Sequence, residues 1–136
     1  MGRVIGYNFL WSHEAETGEE TGRKARPVLI FHVKSRDPGL QVWVVPFTSR
    51  PPDRSDYTVD VPRRVQAHLG LSKDASHIVA SEINVFDWPG PDLNGIPDGT
   101  DNVEIGEVPE RLVLEVRATI LAASEDAELI TTHRSV

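Results

Sequence analysis

Two short segments of this chain carry residue types suited to holding a phosphodiester. The first is Gly22-Arg23-Lys24-Ala25-Arg26-Pro27, which runs straight into the apolar stretch Val28-Leu29-Ile30-Phe31. Guanidinium is planar, keeps its charge and offers five donors that match phosphate oxygens. Pro27 biases the backbone of Arg26 towards an extended conformation, which sets the direction in which its side chain leaves the strand. The second segment is Pro46-Phe47-Thr48-Ser49-Arg50, which closes the apolar run Val42-Trp43-Val44-Val45. Thr48 and Ser49 supply hydroxyl donors, and Arg50 adds charge. Arg23 and Lys24 extend the cationic cluster beside Arg26. The ordinary reading of each residue is plainer: a solvated arginine at a strand entrance, and hydroxyls closing a turn.

If RNA is the substrate, its 2′-hydroxyl must lose a proton to attack phosphorus. Arginine is a poor base. His13, in Trp11-Ser12-His13-Glu14, is the residue type that moves protons near neutrality. Glu14 and Glu16 are further candidates for a base or an orienting group. Trp11 and Trp88 flank loops and are suited to stacking on bases, whereas Trp43 sits mid-strand as a core residue. No metal site is expected. His13, His32, His68, His77 and His133 are scattered, without an i, i+4 pair, and the chain has no cysteine. No cofactor is expected either, because nucleotide-binding glycine motifs and a Gly-x-Ser-x-Gly elbow are missing.

The elements that must position these groups are short strands. Val4–Phe9, Val28–Val33 and Gln41–Phe47 read as strands, the last two as an antiparallel hairpin turned at Asp37-Pro38-Gly39. Tyr57–Val61 alternates as a half-buried strand, with Tyr57, Val59 and Val61 on one side. Pro62 opens a short helix that Gly70 stops after Leu69. Ser76–Val85 and Val103–Gly106 complete the strands. Residues 86–102, rich in Pro, Gly and Asp, read as a loop. Pro109–Ala123 is the strongest helix, with Leu112, Val116, Ile120 and Ala123 on one face. The tail beyond Ser124 is polar and expected to fray. The pattern is mainly β with a C-terminal α-helix: a small, strongly curved sheet or open barrel, in one domain over residues 1–136 with a core of about 3–123 and a polar tail 124–136.

The net charge of −7 argues against broad nucleic-acid binding. The charge is uneven, however. Residues 1–68 hold ten Lys/Arg against eight Asp/Glu, and residues 69–136 hold four against thirteen. A local positive site on an acidic body is consistent with these counts. No run of the sequence suits a membrane span or a signal peptide, so a cytoplasmic location is expected.

The ordered set of segments resembles the PemK/MazF family of toxins. It comprises a strand, a Gly-containing loop, a basic run ending Arg-Pro, an apolar strand, and an apolar strand ending Pro-x-Thr-Ser. Gly70-Leu71-Ser72-Lys73-Asp74-Ala75-Ser76-His77-Ile78-Val79 and Ile105-Gly106-Glu107-Val108-Pro109 resemble the family's later segments. The likeness spans roughly residues 3–123 and is nearer a PemK-like branch. It implies an SH3-like, or plasmid-maintenance-toxin, β-barrel. It also implies a metal-independent endoribonuclease acting on single-stranded RNA, usually a homodimer silenced by a cognate antitoxin. The family's arginine before proline falls on Arg26, its threonine on Thr48, and the following residue on Ser49. Where many members carry Gln-x-Arg, this chain has Glu82-Ile83-Asn84, which places Glu82 and Asn84 beside the implied RNA path. The rival reading is a catalytically inactive PemK-like barrel that binds a protein partner.

Overall fold

The computed structural model describes residues 2–7, 9, 26–35, 39–48, 57–70, 77–88 and 104–133, with the backbone alone at Trp88, Glu104 and Ile105. The elements are β1 (Arg3–Tyr7), β2 (Arg26–Ser35), β3 (Leu40–Thr48), β4 (Thr58–Asp60), α1 (Arg63–Leu69), β5 (His77–Val79), β6 (Glu82–Trp88), β7 (Glu104–Glu107), α2 (Glu110–Glu125) and β8 (Ile130–His133). The strands form one mainly antiparallel sheet in the order β4-β5-β3-β2-β1-β7, with β6 also on β3 and β8 parallel to β6. This sheet is not closed, so the expected barrel is an open one.

The nearly continuous apolar run of β2 is explained by burial on both faces. Leu29 and Phe31 join a first core with Val45, Phe47, Val59, Ile78, Ile83 and Val85. Val28 and Ile30 join a second core with Ile5, Tyr7, Val42, Val44 and Phe86 on the opposite face. Tyr7 and Phe86 stack there, with ring centroids 4.4 Å apart. Each fully buried aliphatic side chain contributes about 1.5–3 kcal/mol.

Helix α2 lies on the first face. Leu112, Val116 and Ala123 are buried as their spacing predicts, Val113 joins them, and Ile120 packs at the margin. One polar contact fixes the helix against the sheet. The register of β2 against β3 slips between Ile30 and His32. There the Phe31 carbonyl accepts from Arg117 Nε at 3.1 Å and Nη2 at 2.7 Å. Helix α1 forms where expected, with Pro62 at its N-cap and Gly70 in the left-handed conformation at φ 66°.

Two expectations need correction. The stretch 76–85 is not one strand. Between its Val44–Asn84 and Phe47–Ile78 pairs, β3 advances three residues while its partner advances six. The extra residues make a kink at Ala80-Ser81 that separates β5 from β6. Its backbone groups are satisfied on both sides: Ala80 N–H donates to Tyr57 O, and Ile130 N–H donates to Ser81 O, each at 2.8 Å. Nor does the tail fray throughout. After a left-handed turn at Ala127, φ 57°, residues Ile130–His133 pair with β6. A free strand edge on β6 captured a polar segment that has no amphipathic signal of its own.

Candidate active site

Side chains directly opposite each other in neighbouring strands share a face. In the β1–β2 ladder Tyr7 pairs with Arg26. In the β2–β3 ladder Val28 pairs with Pro46, and continuing that register by two residues sets Arg26 opposite Thr48. Across β3 and β5, Thr48 pairs with His77. Across β4 and β5, His77 pairs with Asp60. Tyr7, Arg26, Thr48, His77 and Asp60 therefore form one row across five strands, on the face that carries the second core.

This row is polar where its neighbour along the strands is not. The next row holds Ile5, Val28 and Pro46, all buried. At the row itself, Arg26 is partly buried and its Nε is enclosed. Thr48 is 8% exposed, at the last residue of β3. His77 is 25% exposed in its side chain, and its Nδ1 lies 2.9 Å from Asp60 Oδ1. Asp60 reaches 89% exposure, so the row runs from the buried interior to open solvent. Chemically it offers a fixed cation, a hydroxyl and an imidazole–carboxylate pair in sequence.

Comparison with solved structures places this framework. MazF from Deinococcus radiodurans aligns over 91% of this chain and 94% of its own, with a TM-score of 0.57 and 22% identity. MazE-MazF from the same organism aligns over 90% and 91%, with a TM-score of 0.53 and 22% identity. This chain has a MazF-like fold. No protein-family model and no curated sequence matches it.

Within this MazF-like fold Arg26 opens β2 and Thr48 closes β3, and the β2–β3 register continued by two residues sets them opposite each other. Asn84 shares their face but lies opposite Val44, four residues along β3 from Thr48. That separation is roughly 13 Å at the usual rise per residue. Asn84 is also 1% exposed, which seals it from a surface path. In this structure Asn84 is an interior polar group of the sheet. Glu82 is nearer and half-buried, at the start of β6. Its ladder partner on the other side is Ile130 of β8. His13, Trp11, Arg23, Lys24, Ser49 and Arg50 lie outside the described residues, as does the side chain of Trp88. Trp43 is partly buried, packing on the first core and tilted against His32 at 4.8 Å.

Beyond strand position, no local sequence signal points to the pair His77 and Asp60. Seventeen residues separate them and no motif joins them. The one usable signal is their position: Asp60 ends an alternating strand, and His77 opens an apolar one. Among the described residues no group of three His, Cys, Asp or Glu is placed to hold a metal ion, and no helix is long and apolar enough to cross a membrane.

Proposed function

We propose that this protein is a toxin-like endoribonuclease that cleaves single-stranded RNA in the cytoplasm and is neutralised by a cognate antitoxin. The observation that supports this reading is the placing of Arg26 and Thr48 at adjoining ends of two central strands in a MazF-like sheet, opposite each other by continuation of the β2–β3 register. In-line attack of the 2′-oxygen on phosphorus breaks the bond to the 5′-oxygen and leaves a 2′,3′-cyclic phosphate and a 5′-hydroxyl. Negative charge builds on the non-bridging oxygens in the transition state. Arg26, held half-buried, is a preorganised donor for that charge. The Thr48 hydroxyl positions the phosphate. Ser49, Arg50, Arg23 and Lys24 follow or precede these residues in sequence and extend the anion-binding set. His13 is assigned a proton-transfer role and Trp11 a base-stacking one. No metal is required, since guanidinium and hydroxyl donors cover the phosphate.

The partners in this reading are an antitoxin and a second copy of the chain. One solved neighbour is a MazE-MazF structure. On α2, Leu114 and Leu121 remain 56% and 60% exposed on the side away from the core, as apolar surface for a partner to cover.

The test is direct. The purified protein is incubated with a long single-stranded RNA in EDTA beside Arg26→Ala, and the cut ends are mapped. Discrete cuts with cyclic-phosphate ends, lost in the variant, are expected. Intact RNA with several substrates of different sequence would reject the enzyme and favour a binding module of the same fold.

A further inference from the structure

We infer that His77 is the general base of the proposed cleavage and that Asp60 is its positioning residue. The inference rests on the endoribonuclease reading above and adds the group that reading lacks among the described residues. Three observations carry it. His77 is the ladder partner of Thr48, so the two side chains leave the sheet on the same face about 5 Å apart at Cβ. Arg26 stands on the other side of Thr48 in the same row. A phosphate held by Arg26 and Thr48 therefore lies beside the imidazole.

The third observation is the contact of His77 Nδ1 with Asp60 Oδ1 at 2.9 Å. An ionised carboxylate only accepts hydrogen bonds, so Nδ1 carries the proton and donates it to Asp60. In the neutral ring this leaves the lone pair on Nε2. Histidine with one nitrogen anchored on a carboxylate and the other free to accept is an arrangement for taking a proton from a hydroxyl. The partial exposure of His77 leaves the ring open to a ligand on the face of the sheet.

Nε2 takes the proton of the 2′-hydroxyl as the bond from O2′ to phosphorus forms. The bond from phosphorus to O5′ breaks, and O5′ receives a proton from a second group or from water. His77 ends as imidazolium, with Asp60 balancing its charge, and returns the proton to solvent.

The experiment measures single-turnover cleavage of single-stranded RNA by the full chain and by Arg26→Ala, His77→Ala, His77→Gln, Asp60→Asn and Asp60→Glu. Affinity is measured separately on the same RNA carrying a 2′-deoxy nucleotide at the cut site, and folding by thermal melting. Both His77 variants are expected to cleave on the order of 10²–10⁴ times more slowly, with RNA affinity and melting retained. Added imidazole should restore part of the rate to His77→Ala. Asp60→Asn should lose rate and Asp60→Glu regain it.

Near-wild-type cleavage by folded His77 variants, with Arg26→Ala inactive, would overturn this inference and leave the ribonuclease reading standing. Loss of rate matched by loss of RNA affinity, or loss that imidazole does not restore, would also overturn it. A wild-type protein that cuts no RNA removes the ribonuclease reading and this inference with it.

Discussion

Thr48 and His77 face each other across the β3–β5 ladder, and His77 is tied in turn to Asp60. That relationship depends on the kink at Ala80-Ser81. The kink lets β3 exchange β6 for β5 near its end, bringing a new strand to its last two residues. Without it, continuing the β6 register would set Ala80 opposite Thr48, and the polar row from Tyr7 would not reach His77.

Thr48→Val tests the hydroxyl alone. Valine keeps the β-branched shape, so a residue that is 8% exposed is replaced with little change in packing. Cleavage should fall on the order of 10²-fold, in keeping with the loss of one preorganised donor. Single-turnover rates with unchanged melting check this; wild-type rates would remove Thr48 from the site.

Arg117→Met tests the clamp between α2 and the irregular turn of β2. The Phe31 carbonyl loses both of its donors from the helix, while methionine keeps the aliphatic cover. Stability should drop by about 1–3 kcal/mol, the cost of stranding a partly buried acceptor. Urea unfolding measures it.

Gly2→Ala tests the entry to β1. Gly2 has φ 88°, and an added Cβ would meet Val113 Cγ2 at 3.0 Å and the Val108 carbonyl at 3.1 Å. Its own carbonyl accepts from Val108 N–H at 2.8 Å, so the chain cannot swing away without losing that bond. A loss of about 1–2 kcal/mol is expected from the left-handed backbone and the crowding together. An unchanged melting temperature would contradict this.

Tyr57→Phe tests what docks the C-terminal segment. The Tyr57 hydroxyl donates to Asp126 Oδ2 at 2.6 Å, just before the turn that leads into β8. Removing it should cost about 1 kcal/mol or less, because the pair is exposed. The effect should be local. Amide exchange at Ile130–His133 is expected to quicken, while β2 and β3 keep their protection.

Much of this protein was legible in its sequence because the signals are local. Nearly continuous apolar runs and turn chemistry gave away the β2–β3 hairpin, and Gly70 marked the end of α1. The spacing of Leu112, Val116 and Ala123 gave the buried face of α2. Arg26 and Thr48 stood out as candidates because one precedes and the other closes an apolar run with a group of distinct chemistry. Periodicity and propensity act over a few residues, and these features lie within that range.

The rest was decided by pairing between distant segments. The register that sets Arg26 opposite Thr48, the kink that places His77 next to it, and the contact of His77 with Asp60 are long-range events. So are the docking of β8 on β6 and the burial of Asn84 inside the sheet. A strand's own residues state which of them alternate, but not which neighbour each will face; that depends on how all the ladders and both cores are satisfied at once. The sequence by itself therefore determined the kinds of chemistry this chain can offer and the strands that carry it. Only the tertiary structure decided which of those groups stand in one row.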